Sequence, residues 1–247
     1  MSAAYEQLGR GYTATRRPDP RIAEQIHRAL CDARTVLNVG AGTGNYEPAD
    51  RQVIAVEPAA AMVAQRPPGS APAVRGVAEA LPFRDGTFDA ALAVCTVHHW
   101  PDLAAGLAEL RRVASRQVIF MCEPLMARRF WLLAEYFPEV SDLPSERLAP
   151  SVSQLALHLS VRRVLPVPVP ADCLDGFTGA FWRRPEAYLD SAVQAGMSSL
   201  AQLRPETIAR GTAQLRRDLD SGAWDERHGS LRELSECDIG YRLVLAD

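Results

Sequence analysis

The sequence predicts an α/β fold in which a mostly parallel sheet is covered by helices on both faces. Short apolar runs rich in β-branched residues occupy positions 36–39, 53–56, 73–77, 88–94 and 117–122. Segments with helical character separate these runs, an alternation that is typical of buried parallel strands. A glycine-rich turn directly follows the first run, as it does in open sheets that bind ligands at the carboxyl ends of their strands.

The helical segments follow the same logic. Residues 20–33 are amphipathic, and a second helix begins near Pro101 with Leu103, Leu107 and Leu110 on its buried face. Beyond residue 123 the pattern predicts a helix at 127–136 and an edge strand at 161–169 that runs out into loop at its prolines. It also predicts mostly helical structure at 185–219, with breaks at Gly196, Pro205 and Gly211, and a closing strand at 241–245.

Size, charge and cysteine content restrict the class of protein. The 247 residues suffice for one α/β domain with an additional segment, and a net charge of −3 weighs against a general polyanion-binding surface. Five scattered cysteines without a C-x-x-C pair argue against disulfides or zinc and favour a reducing cytoplasm. The sequence contains no hydrophobic signal core and no apolar stretch of membrane-spanning length, so we expect a cytoplasmic protein without a membrane partner.

The glycine-rich turn and the acid that follows it indicate a nucleoside-binding site. Residues 36–45 read VLNVGAGTGN, and residues 53–57 read VIAVE. Glycines let the backbone adopt positive φ and approach a ligand closely. Glu57, at the end of the second run, is placed to accept hydrogen bonds from both ribose hydroxyls. The spacing differs from the dinucleotide motif, because the third glycine arrives one residue early.

Four motifs in this order resemble the class I S-adenosylmethionine-dependent methyltransferases, and more narrowly the type 11-like group. They are the glycine turn, the acidic strand end, the AEALPF stretch at 78–83 and the pair His98-His99 after the fourth strand. The resemblance covers roughly residues 33–123. It implies methyl transfer from S-adenosylmethionine, with S-adenosylhomocysteine as product and no metal.

The resemblance also implies a role for individual residues. Around the methionine part of the cofactor it places the turn residues Gly40, Ala41, Gly42 and Gly44 together with the backbone of Cys95. Glu57 would hold the ribose, Met62 would pack near the adenine, and Ala78 and Glu79 would lie at the adenine edge. Tyr12 and Arg16 belong to a segment that would close over the cofactor, where guanidinium suits the methionine carboxylate; the alternative is a solvated leader.

The fold expected on this basis is a Rossmann-like three-layer sandwich with a mostly parallel seven-stranded sheet, an N-terminal lid and a C-terminal helical cap. Residues 1–247 would form a single domain. Its parts would be a cofactor lid at 1–32, a cofactor-binding core at 33–123, a substrate cap with the remaining sheet at 124–240, and a closing strand at 241–247.

Two positions depart from the family pattern. Asn38 stands where an acidic residue is usual, and Val77 stands where an aspartate usually meets the adenine amino group. The histidine pair follows the fourth strand, at the ligand-binding edge of such sheets. His99 is the preferred proton acceptor and His98 would border the cofactor, since imidazole titrates near neutral pH. Alternatively, both histidines shape the loop or cap the next helix through Asp102.

Two further groups have an ordinary and a functional interpretation. The aromatic clusters are core residues or a lid over the substrate; they comprise Phe130, Trp131, Tyr136 and Phe137, and Phe177, Phe181, Trp182 and Tyr188. The pairs Arg162-Arg163 and Arg183-Arg184 are solvated surface, or they bind an acidic substrate or RNA.

The predicted function is methyl transfer to a small-molecule acceptor at oxygen or nitrogen by direct displacement. Three alternatives remain open: an RNA methyltransferase acting on tRNA, a nicotinamide-dependent oxidoreductase, and a non-catalytic member that binds S-adenosylmethionine. We expect a monomer or homodimer, and we do not expect a nucleic-acid partner. The acceptor itself does not follow from the fold.

Overall fold

The computed structural model describes residues 16–247, and these contain nine strands. They are β1 (Thr35–Val39), β2 (Gln52–Val56), β3 (Ala73–Val74), β4 (Phe88–Val94), β5 (Ala114–Cys122), β6 (Val161–Pro166), β7 (Val169–Pro170), β8 (Glu236–Cys237) and β9 (Tyr241–Ala246). Seven of them form one sheet in the order β3-β2-β1-β4-β5-β9-β6, and β7 pairs with β8. Strands β1 to β5 are parallel, whereas β9 runs antiparallel to β5 and β6. The predicted mostly parallel seven-stranded sheet is therefore confirmed.

Helices cover this sheet, and most of them lie in the segments that follow β5. They are α1 (Pro20–Ala29), α2 (Ala60–Val63), α3 (Leu103–Val113), α4 (Pro124–Arg129), α5 (Pro144–Arg147), α6 (Val152–Leu155), α7 (Ser191–Ala195), α8 (Ser198–Ala201), α9 (Pro205–Ser221) and α10 (Ala223–His228). Shorter 3₁₀ or π turns occupy Val97–His99, Leu132–Tyr136, Pro138–Asp142, Pro185–Leu189 and Gly229–Glu233. Within residues 16–247 no helix is both long and apolar enough to cross a membrane.

The two faces of the sheet carry two separate apolar cores because alternate strand residues point in opposite directions. In β4, Ala90 and Leu92 join the core that includes α1 and the aromatic residues of the helical segments after β5. Ala91 and Ala93 join the core beneath α3. The result is the expected three-layer arrangement.

Several predicted bounds need correction. Strand β4 matches its prediction, but the strand predicted at 73–77 ends at Val74, and Val77 makes an isolated bridge to Ala80. The helix predicted at 20–33 ends at Ala29, and Cys31 adopts a positive φ of 49° that no helix tolerates. Strand β5 begins at Ala114, directly after α3.

The segments after β5 differ more from prediction. The helix predicted at 127–136 is instead α4 followed by the π turn Leu132–Tyr136. The strand predicted at 161–169 stops at Pro166, which cannot donate to a ladder, and the chain then enters β7. Both aromatic clusters pack into one core with α1, as their interpretation as core residues predicts, and Phe177 also lines a cavity.

Gly211 does not break a helix, as the sequence suggested, but lies inside α9. A methyl group at this position would lie 2.4 Å from the Phe137 ring and 2.5 Å from the Tyr136 carbonyl oxygen. We expect Gly211→Ala to destabilise the fold by about 1–3 kcal/mol through overpacking, as measured by urea denaturation. At Gly229 the nearest atom would be 3.8 Å away, so Gly229→Ala should change stability by less than about 0.5 kcal/mol. Equal effects would contradict this packing role.

Candidate active site

A cavity of about 420 Å³ opens at the carboxyl ends of the parallel strands. Its floor is formed by Asn38 in β1, Glu57 after β2, Cys95 after β4 and Cys122 at the end of β5. Strand β1 lies between β2 and β4. The connections therefore leave β1 and β4 in opposite directions, which creates a crevice of the kind that binds ligands in open α/β sheets.

The glycine turn after β1 forms one wall of the cavity. Gly40 has a φ of +68°, and a Cβ there would lie only 1.9 Å from Oγ1 of Thr96. Gly42, at +53°, lines the cavity together with Ala41. Gly44 does not line it, because a Cβ on Gly44 would meet Arg66 and Glu47 instead. The third glycine thus shapes the end of the turn.

The Glu57 carboxylate is buried and held by the backbone of two loops. Its Oε2 accepts from the Gly42 amide at 2.8 Å, and its Oε1 accepts from the Ala59 amide at 2.9 Å. Each carboxylate oxygen has two lone pairs, so both bonds are compatible with further acceptance from ribose hydroxyls. The anchor predicted from sequence therefore also ties the glycine turn to the loop after β2.

Asn38 takes part in a second network under the turn. Its Nδ2 donates to Glu47 Oε1 at 3.0 Å, and Glu47 pairs with Arg66 at 2.7 Å. Among residues 16–247 the buried Oδ1 of Asn38 has no hydrogen-bond partner. A carboxylate at this position would face the like charge of Glu47, whereas the Asn38 amide can donate to it. The Oδ1 of Asn38 then remains available as an acceptor.

Met62, Ala78 and Glu79, the residues that the sequence analysis assigned to the adenine, also line the cavity. Glu79 Oε1 accepts from the Asp102 amide at 3.3 Å, which connects this edge to the start of α3. Val77 also lines the cavity but offers no polar side chain.

Cys95 lies at the end of β4 with a φ of +50°. Its amide donates to the Phe120 carbonyl oxygen at 2.7 Å, and burial raises the pKa of its thiol to about 12. The thiol is therefore neutral, and what this position offers a ligand is its backbone and its apolar sulfur.

His98 and His99 lie in the turn Val97–His99, and both line the cavity. Their ring centroids are 3.8 Å apart. Burial lowers the pKa of His98 to about 4, and burial, with a smaller contribution from His98, holds the pKa of His99 well below its usual range. Both rings are neutral at neutral pH and can accept a proton. Asp102 caps α3 by accepting from the Ala105 amide at 3.0 Å.

A buried carboxylate that the sequence did not reveal holds two residues of the cavity lining in place. Asp175 is fully buried, accepts from Nε of Arg16 at 2.7 Å and accepts from the Tyr46 hydroxyl at 2.8 Å. Arg16 lines the cavity, as does Tyr46. Tyr12 lies outside the described residues. Asp175 is 129 residues from Tyr46, so no local pattern in the sequence could have paired them.

The remaining wall comes from the segments after β5. Apolar side chains from several elements line it, namely Pro124, Ala127, Leu133, Phe177 and Met197. Glu146 on α5 lines the same wall and was not recognised from sequence, because a single glutamate in a short helix carries no pattern. Among residues 16–247 no cluster of three or more histidine, cysteine or acidic side chains is arranged to hold a metal.

Comparison with known proteins identifies the family. A family model described as "Methyltransferase domain" matches residues 37–122. The chain is also similar to a candidate methyltransferase of an antibiotic biosynthesis pathway from Anabaena variabilis, with 31% identity, a TM-score of 0.84, and coverage of 94% of this chain and 98% of that one. This chain belongs to the class I S-adenosylmethionine-dependent methyltransferases. Within that family it is type 11-like, and the methyltransferase is accordingly an enzyme.

More distant structures share the fold of this methyltransferase. The YcgJ protein of Bacillus subtilis is 19% identical with a TM-score of 0.54, over 92% of this chain and 96% of that one. Geranyl diphosphate C-methyltransferase of Streptomyces coelicolor, solved with Mg²⁺, geranyl diphosphate and S-adenosylhomocysteine, is 14% identical with a TM-score of 0.51, over 92% and 78%. None of the curated proteins compared with this sequence matches it significantly.

Proposed function

We propose that this methyltransferase transfers the methyl group of S-adenosylmethionine to a small-molecule acceptor, at oxygen or nitrogen, by direct displacement. The observation that carries the proposal is the two-sided cavity, in which the glycine turn and Glu57 face an apolar wall built after β5. The Anabaena relative, named for an antibiotic biosynthesis pathway, supports a small acceptor.

The residues present fit the cofactor. Glu57 offers carboxylate oxygens to the ribose, and Met62 with Ala78 gives an apolar bed for the adenine. The buried Oδ1 of Asn38 is an acceptor suited to the amino group of the methionine part. The close approach of Gly40 to Thr96 leaves no room for a side chain at this turn. We propose no metal.

When bound, S-adenosylmethionine supplies an electrophilic methyl group whose bond to sulfur breaks as the bond to the acceptor forms. The protein contributes alignment and exclusion of water, which account for much of the rate in such displacements. Phe177, Leu133 and Met197 provide the dry wall on the acceptor side. We assign His99 as the group that takes the proton from the acceptor, because its ring is neutral and lines the cavity.

The arginine pairs support a small acceptor over RNA. Arg162 pairs with Asp247 at 2.9 Å. Arg183 donates to the Leu234 carbonyl oxygen at 2.8 Å and Arg184 donates to that of Cys173 at 2.9 Å. Three of the four arginines in the two pairs are thus engaged within the protein, which weighs against a basic tract for a phosphate backbone.

The test combines binding and turnover. Calorimetry should show that the protein binds S-adenosylhomocysteine, and methyl-labelled S-adenosylmethionine should label some members of a panel of phenols, alcohols, carboxylic acids and amines. Absence of cofactor binding would overturn the proposal. Binding without transfer to any member would favour the non-catalytic alternative, and labelling of tRNA alone would favour the RNA alternative.

His99→Gln should lower kcat by about 10²–10⁴-fold, the usual contribution of a positioned acid or base, while the affinity for S-adenosylhomocysteine changes little. The lowered pKa of His99 means that its ring becomes protonated only well below pH 6.5. Wild-type kcat should therefore hold from neutral pH into the acid range and fall only at still lower pH. The exposed His158 provides the control, since His158→Gln should leave kcat unchanged. Unchanged turnover of His99→Gln at saturating acceptor would remove this assignment.

We also propose a cytoplasmic location, because all five cysteines carry free thiols, as suits a reducing compartment. A single domain and a monomeric or homodimeric state stay predictions. Light scattering measures the latter directly.

A further inference from the structure

Glu146 is a charged side chain of the cavity lining to which the proposed reaction has so far given no role. It lies on α5, which packs beside the turn Val97–His99, so its carboxyl shares the cavity with both histidines. The charge of Glu146 contributes to raising the pKa of the Cys122 thiol at the end of β5, although burial is the main cause. Glu146 therefore faces the region between the strand ends and the apolar wall, where an acceptor must lie.

Among the described residues, the Glu146 carboxyl has no hydrogen-bond or ion-pair partner. The other charged groups of the cavity have partners: Arg16 pairs with Asp175, Glu57 accepts from two backbone amides, and Glu79 accepts from the Asp102 amide. The histidines and cysteines that line the cavity are neutral. Glu146 is thus the one charged group of the described cavity lining that no hydrogen bond or ion pair engages.

Burial raises the pKa of Glu146, and the distant charge of Arg128 on α4 lowers it only in part. An ammonium ion beside this carboxyl would compensate for the lost hydration, since a partly buried charge is costly unless it is paired. An alcohol carries no positive charge and a carboxylate carries a negative one, so neither would compensate the Glu146 carboxylate in this way. Apolar residues that line the same cavity as Glu146, among them Leu133, Phe177 and Met197, fit the hydrocarbon body of the same ligand.

We propose that Glu146 binds the nitrogen of an apolar primary or secondary amine and so makes amines the acceptors that this cavity selects. This inference rests on the proposed function. Glu146 stays ionised beside the ammonium, the ammonium gives a proton to the neutral ring of His99, and the nitrogen lone pair then forms the bond to the methyl carbon. The carbon–sulfur bond breaks with its electron pair left on sulfur. The N-methylammonium product is again a cation beside Glu146, and His99 later releases its proton to water.

The test compares three probes that share a benzene ring: 2-phenylethylamine, 2-phenylethanol and 3-phenylpropanoate. Binding to the protein saturated with S-adenosylhomocysteine is measured by calorimetry or saturation-transfer NMR. We expect the amine to bind at least about tenfold more tightly than the other two, as expected for an ion pair worth about 1.4 kcal/mol or more. An amine that binds no better than the alcohol, absence of binding included, overturns the proposal.

Glu146→Gln should lower the affinity for the amine at least about tenfold while leaving the alcohol and S-adenosylhomocysteine unaffected. Glu206→Gln makes the same chemical change at the exposed start of α9 and should leave the affinity for all three ligands unchanged. Unchanged amine binding in Glu146→Gln contradicts the proposal. If S-adenosylhomocysteine does not bind at all, the proposed function fails, and the ranking of the three probes on the cofactor-free protein still decides the role of Glu146.

Discussion

Glu57→Gln should reduce the affinity for S-adenosylhomocysteine by about 2–4 kcal/mol, the scale of lost charge-assisted hydrogen bonds, or about 30- to 1,000-fold. Both oxygens of Glu57 accept from backbone amides, at Gly42 and Ala59. An amide side chain must direct its NH₂ group against one of these donors. The variant therefore loses the group that we propose accepts from the ribose, and it also disturbs the glycine turn.

Calorimetry with S-adenosylhomocysteine measures this effect, and thermal unfolding shows whether the variant is folded. Glu24→Gln provides the control, because Glu24 pairs with Arg28 on the surface of α1, where both side chains are largely exposed. Its affinity should equal that of the wild type. A Glu57→Gln protein that binds with unaltered affinity would show that the cofactor is anchored elsewhere.

The second large effect concerns Asp175, whose removal should cost about 3–5 kcal/mol of unfolding free energy, as for other broken buried ion pairs. Asp175→Asn would remove the carboxylate charge that pairs with the Arg16 guanidinium, whose side chain is only 10% exposed. It would also weaken the bond from the Tyr46 hydroxyl, which stays protonated because burial, reinforced by Asp175, raises the pKa of Tyr46. Urea denaturation measures the loss.

A neighbouring aspartate offers a matched comparison. Asp172 pairs with Arg21 at 2.7 Å, but its side chain is 81% exposed. Asp172→Asn should therefore cost no more than about 1 kcal/mol. Similar losses in the two variants would mean that the buried network around Asp175 contributes no more than an ordinary surface pair.

The sheet could be predicted well because each buried parallel strand corresponds to a continuous apolar run in the sequence. Strands β1, β2 and β4 coincide with apolar runs whose ends are marked by glycine, glutamate or histidine. The residues at the strand ends, which form part of the cavity, could be predicted from the same apolar runs. Glu57 directly follows β2, and the histidine pair follows β4 after three residues. Topology alone brings the carboxyl ends of those strands together.

The other wall of the cavity could not be predicted in this way. Asp175 meets Arg16 across 159 residues, and Glu146 reaches the cavity because a one-turn helix packs beside the histidines. Gly211 looked like a helix break, whereas close packing against Phe137 is what requires a glycine. These are tertiary contacts, and neither propensity nor periodicity along the chain records them.

The position of β9 bears on how the molecule forms during synthesis. Strand β6 is hydrogen-bonded to the sheet through β9, which lies between β5 and β6 although it follows both in the chain. On the ribosome, β1 to β5 can pair with one another early, but β6 has no template until residue 241 and those after it emerge. A nascent chain at that stage presents β5 as an unpaired edge, the kind of surface that invites association with other chains.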